Sequence, residues 1–427
     1  AEAVEATAIG TFTDTGRLTL HYQGREMADM DMHFLHEGTP RPTRKAEWTP
    51  PAIEDPGAPA LDDASGVLLK LLARPGIASK EWITRQYDHE VQGMRVVGPN
   101  TGVHMDGPSD GVVLRPLPES NKAIALGAGA SSTMGRLDPK AMAMACIDEA
   151  LRNVVAAGGD PTRTAILDNF SWGNCDKPDR LGALVLASKG CYEAAMAYQT
   201  PFISGKDSLN NDYRVGDETL SIPPTLYISS LSIVPDVQRA MTMDAKQAGD
   251  HLYLVGRTGA DFGGSELHSH LGLDGGHVPC PDLDTAPGLF QVVHGALAAG
   301  LVRACHDLSE GGLAVALAES CLAGRLGASV DLAQVPLDEL PDGYDPSTSA
   351  LFAETCSRFL VEVSPENAAA FETALQGQVY AHIGDVSDDG HLCIKDEGGS
   401  DLIRLPVQDL ASAFAGAAAQ RVAPENS

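Results

Sequence analysis

The chain has 427 residues, 43% of them hydrophobic, which is enough for two or three globular domains that each bury a core. Acidic residues outnumber basic residues 58 to 30, giving a formal charge of -28 that repels phosphate backbones and anionic membranes and argues against nucleic-acid binding. No apolar run reaches the roughly 20 residues that span a bilayer, and no signal peptide is recognisable. We therefore expect a cytoplasmic protein with no membrane partner.

The first predicted element in chain order is a β-hairpin. Residues 8–34 alternate apolar and polar side chains around Asp14-Thr-Gly16. Because a lone hairpin is not stable, we expect residues 1–37 to be either the end of a preceding domain that is absent from the chain or an edge that docks onto another surface. Residues 38–65 are rich in Pro, Asp, Glu and Ala and predict a linker.

Two α/β units are predicted to follow. Residues 66–235 alternate helices and strands, which indicates a layered α/β domain. Its predicted helices cover 140–157 and 180–198, and its predicted strands cover 164–167, 201–204 and 225–234. A second unit over 236–414 has predicted strands at 251–256 and 358–363 and predicted helices at 288–299, 311–324 and 367–375. The small, polar residues 415–427 predict a flexible tail.

The most informative polar segment follows the predicted strand 201–204. Gly205 allows close backbone approach to an anion, Lys206 offers a positive charge, Asp207 a ligand for a hard cation and Ser208 a hydrogen-bond donor. The segment is not a Walker loop, because Asp207 and not Ser or Thr follows the lysine. A polar turn between two strands explains it equally well.

Further oxygen donors occur on the helix predicted at 140–157. Glu149 and Asn153 lie four residues apart, opposite an apolar stripe, so their oxygens point the same way. Asp110 directly precedes an apolar strand and is a further candidate ligand. Such donors suit magnesium, although a solvated polar face is the commoner meaning of an i, i+4 pair.

Three other segments carry candidate binding or catalytic side chains, each of which also has an ordinary structural explanation. Asp168 lies at the carboxyl end of a strand, where open α/β sheets bind ligands, but turn chemistry also explains it. Ser309, with the glycines after it, suits a phosphate at a helix N-terminus, while Asp307 and Ser309 are equally typical of helix caps. His89 is a candidate general acid or base, or a structural histidine.

Six segments together, in order along nearly the whole chain, resemble the large, ATP-dependent synthetase subunit of the phosphoribosylformylglycinamidine synthase family. They are residues 87–93, 168–174, 190–195, 202–211, 306–313 and 351–359. The resemblance implies an α/β fold of the aminoimidazole ribonucleotide synthetase type, in which an N-terminal domain builds a shared β-barrel and a C-terminal α/β domain flanks it. The family has two such halves, and this chain is similar to the second half plus the final hairpin of the first.

The activity implied by the resemblance is an ATP-dependent C–N ligation in purine biosynthesis. ATP activates the formyl amide oxygen of formylglycinamide ribonucleotide, and ammonia from glutamine displaces phosphate to give the amidine. The implied cofactors are ATP and Mg²⁺. The implied partners are a glutaminase subunit, a small bridging subunit and the first-half synthetase sequence. The alternatives are a non-catalytic half that holds ADP and Mg²⁺ as a scaffold, and a related enzyme acting on another substrate.

The resemblance also assigns roles to the candidate residues. Asp168, Gly205, Lys206 and Ser208 match positions that bind nucleotide or substrate, although some members carry asparagine in place of the lysine. The positions that match magnesium ligands are Asp110, Glu149, Asn153 and Asp207. His89 is a weak catalytic candidate, since the family's essential histidines belong to the absent half.

Overall fold

The structure is a computed structural model that describes residues 4–86 and 90–422. The chain divides into two compact units, Ala1–Lys45 and Ala46–Ser427, each of which is described by itself. Among the described residues, no helix has both the length and the apolar character needed to cross a membrane.

The first unit contains the predicted hairpin, followed by one short helix. Its antiparallel strands are β1 (Arg17–Tyr22) and β2 (Arg25–Asp31), and helix α1 (Met32–Glu37) follows directly. The connecting turn lies at Gln23-Gly24 and not at residues 14–16 as predicted. Both turn residues have positive φ, 50° and 74°, which a two-residue hairpin loop requires and which glycine adopts without strain.

The first half of the second unit is built around a six-stranded sheet in the order β3-β4-β5-β10-β6-β7. All its neighbouring strands are antiparallel except β6 and β7, which helix α5 connects as a parallel crossover. The elements are α2 (Ala64–Leu72), α3 (Glu81–Thr84), β3 (Arg95–Val97), β4 (Val112–Leu114), β5 (Ala123–Ser131), α4 (Pro139–Ala156), β6 (Thr164–Ser171), α5 (Pro178–Tyr198), β7 (Phe202–Ser208), β8 (Asp212–Val215), β9 (Glu218–Ser221) and β10 (Thr225–Val234).

The second half is built around a seven-stranded mixed sheet in the order β12-β14-β11-β15-β13-β16-β17. Its elements are β11 (His251–Val255), α6 (Glu266–Leu271), α7 (Ala286–Ala298), β12 (Ala304–Asp307), α8 (Gly312–Gly324), β13 (Gly327–Asp331), α9 (Pro346–Phe352), β14 (Phe359–Val363), α10 (Ala368–Ala374), β15 (Tyr380–Ser387), β16 (His391–Lys395), β17 (Asp401–Pro406) and α11 (Val407–Val422). Residues 415–422 of the predicted tail are the last turns of α11, and 423–427 lie outside the described residues.

One hydrophobic core joins the two sheets. It contains Ile147 of α4 and Ile228 of β10 together with Phe290 of α7 and Phe359 of β14. Helix α4 is buried on nearly every face because it packs between the first sheet and elements of the second half. The α/β fold class predicted from the sequence is confirmed, and within the described residues the first sheet is open, with β3 and β7 at its edges.

Part of the predicted linker packs against this unit. Ala58 is fully buried and forms a β-bridge with Tyr344, whose hydroxyl donates to Asp55 Oδ1 at 2.8 Å. The fit depends on small residues, since a Cβ at Gly57 would lie 2.4 Å from the carbonyl oxygen of Gly343. Low apolar content therefore does not prevent residues 46–63 from being ordered along the unit.

Candidate functional site

Helix α4 and strand β5 bring Glu149 and Asn153 to one place. A Cβ at Gly129 of β5 would lie only 2.0 Å from the carbonyl oxygen of Cys146, so glycine is needed for the helix to approach this closely. The approach lets the side chains reach the strand backbone. The N–H of Ala130 donates to Glu149 Oε2 at 3.0 Å, and that of Ala128 donates to Asn153 Oδ1 at 3.4 Å.

Asp110 joins the same place through His306, the third residue of β12. The imidazole has one carboxylate at each nitrogen, with Nδ1 2.6 Å from Asp110 Oδ1 and Nε2 3.0 Å from Glu319 Oε2. Burial opposes protonation of this ring, but the two carboxylates outweigh it and raise the pKa of His306 well above its ordinary value. A protonated His306 therefore donates to both carboxylates and holds Asp110 in position.

Asp307, the last residue of β12, and Ser309, in the turn before α8, complete the group. Asp307 Oδ2 accepts from Ser309 Oγ at 2.5 Å and from Arg152 Nε at 3.3 Å. Burial raises the pKa of Asp307, but the positive charges of Arg152 and His306 outweigh it and the net pKa is lowered. Asp307 is consequently ionised, and its carboxylate is within 4.8 Å of ligand atoms of Asp110 and His306.

These side chains line a cavity of about 270 Å³. Five carboxylates and two cationic groups contribute to its wall: Asp110, Glu149, Asp307, Glu310 and Glu319, with Lys80 and His306. A smaller cavity of about 40 Å³ shares Glu149, Ser309 and Glu310 with it and adds Arg152.

The wall carries more negative charge than its own cations offset. Burial raises the pKa of Asp110 to about 7, and burial with the neighbouring carboxylates of Glu310 and Asp307 raises the pKa of Glu149 well above its ordinary value. Crowded, desolvated carboxylates of this kind are stabilised by a bound cation. Carboxylate and amide oxygens are the donors that hard divalent cations accept.

Asp168 lies in a different place, on β6, which β10 separates from β5 in the first sheet. It lines a largely apolar cavity of about 730 Å³ between the β6–β7 edge and α5, together with Phe170, Cys191 and Tyr192. A Cβ at Gly205 would lie 2.4 Å from Asp168 Oδ1, so the glycine lets the two strands pair while the carboxylate stays between them. Burial and then the negative charge of Asp207 raise the pKa of Asp168.

The segment 205–208 is an edge strand and not the loop that its polarity suggested. It pairs in parallel with β6, with Asp207 opposite Phe170 and Ser208 opposite Ser171. Lys206 Nζ donates to Ser208 Oγ on the exposed side of the strand. Backbone pairing with β6 satisfies the polar main chain, which explains why a polar sequence is extended here.

The four predicted magnesium ligands are thus divided between two places. Asp110, Glu149 and Asn153 line one cavity. Asp207 lies on β7, and three strand spacings separate β7 from β5, where Glu149 is anchored. The predicted gathering of acidic side chains from three segments, at Asp110, Glu149 and Asp207, around one cation is therefore not what the structure contains. His89 lies outside the described residues.

Several residues of the cavity were not identified as site residues from the sequence. In the sequence, Asp307 and Ser309 were interpreted only as helix caps or as a phosphate-binding turn. Arg152, His306 and Glu319 were not proposed as site residues. Arg152 and Asp148 are four residues apart on a buried helix and form an ion pair. Two opposite charges one turn apart on an otherwise apolar helix could have indicated that Asp148 and Arg152 form a buried ion pair.

Comparison with known families assigns both halves of the second unit. Residues 108–222 match the family described as AIR synthase related protein, N-terminal domain, and residues 247–397 match AIR synthase related protein, C-terminal domain. Together these segments span more than half of the chain. The chain belongs to the AIR synthase-related superfamily.

Solved structures of this superfamily have the same fold. The structure of Thermotoga maritima PurL complexed with FGAR is 18% identical, covers 81% of this chain and 52% of its own length, and has a TM-score of 0.59. The same protein complexed with ATP is 21% identical over 74% of this chain and 48% of its own, with a TM-score of 0.58. The chain thus spans about half the length of these proteins and resembles their synthetase.

A second group of solved structures with this fold has shorter chains. The HypE–HypF complex contains a chain that is 16% identical, with a TM-score of 0.53, and the match covers 70% of this chain and 93% of that one. The hydrogenase maturation protein HypE in complex with ATP is 18% identical, covers 67% of this chain and 87% of its own, and has a TM-score of 0.50. At these identities the similarity establishes the fold.

Proposed function

We propose that this chain is an ATP-dependent C–N ligase that takes part in converting formylglycinamide ribonucleotide to its amidine with ammonia derived from glutamine. The observation that carries the proposal is the convergence of Asp110, Glu149 and Asn153 in one cavity with Asp307 and Ser309. Three of these five are positions where the family resemblance implies magnesium ligands. The two crystal structures of PurL with ATP and with FGAR support the choice of nucleotide and substrate.

In this proposal Asp110, Glu149, Asn153 and Asp307 hold Mg²⁺, and the Ser309 hydroxyl, which donates to Asp307 in the structure, would turn to donate to a phosphate oxygen. The donor set fits, because it consists of oxygen atoms and because, among the described residues, the five carboxylates of the wall outnumber the nearby cationic groups Lys80, Arg152 and His306. Bound Mg²⁺ would neutralise phosphate charge and make phosphoryl transfer or tight phosphate binding possible. The remaining residues orient this set: His306 fixes Asp110, and Arg152 fixes Asp307 and Ser309.

The cavity is small for a whole nucleotide. Ligand pockets typically enclose about 300–1,000 Å³, whereas this one has about 270 Å³ and the adjoining one about 40 Å³. We therefore assign the cavity to the phosphates and the cation. Asp168, Gly205, Lys206 and Ser208 lie at the β6–β7 edge, and we propose that they serve a separate nucleotide or substrate position there.

Binding of ATP in the presence of Mg²⁺ tests the cavity directly. We expect Asp307→Asn and Glu149→Gln to weaken Mg²⁺-dependent ATP binding at least about tenfold, measured by isothermal titration calorimetry, since each removes a ligand charge. Asp284→Asn is the matched control, because Asp284 is an exposed carboxylate at the start of the second-half helix α7. Equal affinity in all four proteins would contradict the assignment.

Turnover tests the reaction. With formylglycinamide ribonucleotide, ammonium and Mg-ATP, we expect the chain alone to release phosphate slowly and a complementary first-half synthetase with a glutaminase to raise the rate. Glu149→Gln separates catalysis from scaffolding: a catalytic role predicts loss of turnover with assembly intact, whereas a scaffold predicts loss of assembly. Rapid amidine formation by the chain alone would contradict the need for a second half.

A second candidate is an ATP-dependent enzyme of the same fold acting on another substrate. The observation that favours it is the fold shared with HypE, of which one structure is in complex with ATP. Nucleotide binding that needs Asp307 but gives no amidine with any partner would favour this candidate.

A further inference from the structure

A second group of metal-ligating side chains lies far along the chain from the cavity, on the seven-stranded sheet. It consists of His251 on β11 and of His382 and Asp385 on β15. The Asp385 Oδ1 atom is 2.7 Å from His251 Nδ1 and 3.0 Å from His382 Nε2. All three ligand atoms lie within 4.8 Å of one another.

A β-bulge places these three side chains on one face of the sheet. His382 and Asp385 are three residues apart and would face opposite sides of a regular strand. The register between β11 and β15 shifts between Leu252 and Tyr253, so that Asp385 faces His251 and His382 faces Tyr253. The bulge directs Ile383 into the core, where it is almost fully buried, and leaves both polar residues on the other face.

His251, His382 and Asp385 lie next to a cluster of packed aromatic rings. The ring of Tyr253 is buried, lies 5.3 Å from the ring of His382 and 5.0 Å from that of Phe371, and its hydroxyl donates to Glu372 Oε1 at 2.8 Å. The two histidine rings are themselves 4.4 Å apart. Packing of this kind limits the rotamers of the ligands before any metal binds, which lowers the cost of binding.

We propose that His251, His382 and Asp385 form a site for a divalent transition metal of the zinc class. Zinc bonds to nitrogen and oxygen are about 2.0–2.2 Å long, so tetrahedral ligand atoms lie about 3.3 Å apart. The separations of 2.7 and 3.0 Å from Asp385 Oδ1 to the two nitrogens are only a few tenths of an ångström shorter. A bound metal ion would replace the hydrogen-bonding protons between Asp385 and the two histidines.

The chemistry of the ligands selects the metal. Two imidazoles and one carboxylate suit zinc and its neighbours, whereas magnesium and calcium prefer oxygen ligands. Among the described residues, the ion-pair partners of Asp385 are these two histidines, so no lysine or arginine competes there for its carboxylate. The side chains of His251, His382 and Asp385 remain 27%, 41% and 52% exposed, which leaves a coordination position open to water.

Titration of the full chain with Zn²⁺ and Co²⁺ tests the site, with excess Mg²⁺ present to occupy oxygen-ligand positions in the cavity. We expect one equivalent of Zn²⁺ to bind and Co²⁺ to give the intense visible absorption of tetrahedral coordination. His251→Ala and His382→Ala should each weaken binding more than about tenfold and abolish that absorption, since removing a supporting contact alone already costs 10–100-fold. His391→Ala should bind as the parent chain does, because His391 lies on β16 outside the group.

Thermal unfolding provides a second readout that does not depend on spectroscopy. A metal that joins β11 to β15 stabilises only the folded state, so Zn²⁺ should raise the Tm of the parent chain and of His391→Ala. It should not raise the Tm of His382→Gln, a variant that keeps a polar side chain of similar size at an exposed position. No binding by the parent chain up to millimolar Zn²⁺, or the same affinity and Tm shift in the His382 variants, would overturn the proposal.

Discussion

Asp148 connects three separate parts of the second unit through one buried carboxylate. Its oxygens accept from Tyr198 Oη of α5 at 2.5 Å and from the backbone N–H of Ser357 at 2.9 Å, and they pair with Arg152 one turn along α4. A buried charge is tolerated when every oxygen has a donor or a cation. At this scale, the stability of the fold depends on polar groups inside the core as well as on apolar burial.

Replacing this carboxylate should therefore be costly. Asp148→Asn leaves Arg152 in the core with Asp307 as its remaining carboxylate partner. It also places an amide nitrogen, which cannot accept a hydrogen bond, among the hydroxyl and N–H groups that donate to Asp148. We expect a loss of about 3–5 kcal/mol in the free energy of unfolding, measured with urea. Glu193→Gln is the control: it breaks an exposed ion pair with Lys140 and should cost less than about 1 kcal/mol. Similar losses in both variants would contradict this account of Asp148.

At the scale of elements, small residues decide how closely helices and strands approach. Helix α5 crosses α4 at Gly190, where a Cβ would lie 2.4 Å from the carbonyl oxygen of Lys140. Gly295, in the exposed face of α7, has no atom within 4 Å of the corresponding Cβ position. The two glycines share a helical backbone and differ in what surrounds them.

Alanine at the two positions should change stability in opposite directions. Gly190→Ala must push α4 and α5 apart and should destabilise the protein by about 1–3 kcal/mol. Gly295→Ala removes only the conformational cost of a helical glycine and should stabilise it by up to about 1 kcal/mol. Urea unfolding of both variants checks the pair, and a stabilising Gly190→Ala would show that the helix contact is looser than described.

On the scale of the whole molecule, the two sheets of the second unit are joined by shared packing and by charge. Ile147 and Phe359 belong to one core although they come from the two different halves, and Arg152 on α4 pairs with Asp307 on β12. Neither half can unfold without exposing apolar surface of the other. The two halves are therefore energetically coupled.

We expect residues 46–427 to unfold in one main transition. Differential scanning calorimetry should give a single peak for this unit, with a calorimetric enthalpy equal to the van't Hoff enthalpy. Asp307→Asn should move the whole peak to lower temperature, because it removes a carboxylate partner of Arg152 between the two halves. Two resolved peaks, of which only one moves, would show that the halves unfold independently.

Local sequence patterns were sufficient to predict most of the individual helices and strands. Apolar periodicity predicted helices at 140–157 and 180–198 and strands at 225–234 and 251–256, and the structure has them at Pro139–Ala156, Pro178–Tyr198, Thr225–Val234 and His251–Val255. Periodicity predicts these elements correctly because it shows which face of a helix or strand is buried. That information is contained in residues close together in the sequence. The α/β class follows from their alternation.

Which polar residues come into contact depends on the folding of distant segments onto one another. Glu149 and Asn153 were identified because four-residue spacing on one helix is local, whereas the contact of His306 with Asp110 joins residues 196 apart in the chain. The polar segment 205–208 was predicted as a loop, and pairing with β6 made it a strand because the partner satisfies its backbone. The bulge that gathers His251, His382 and Asp385 likewise depends on the register between two distant strands, which no local pattern specifies.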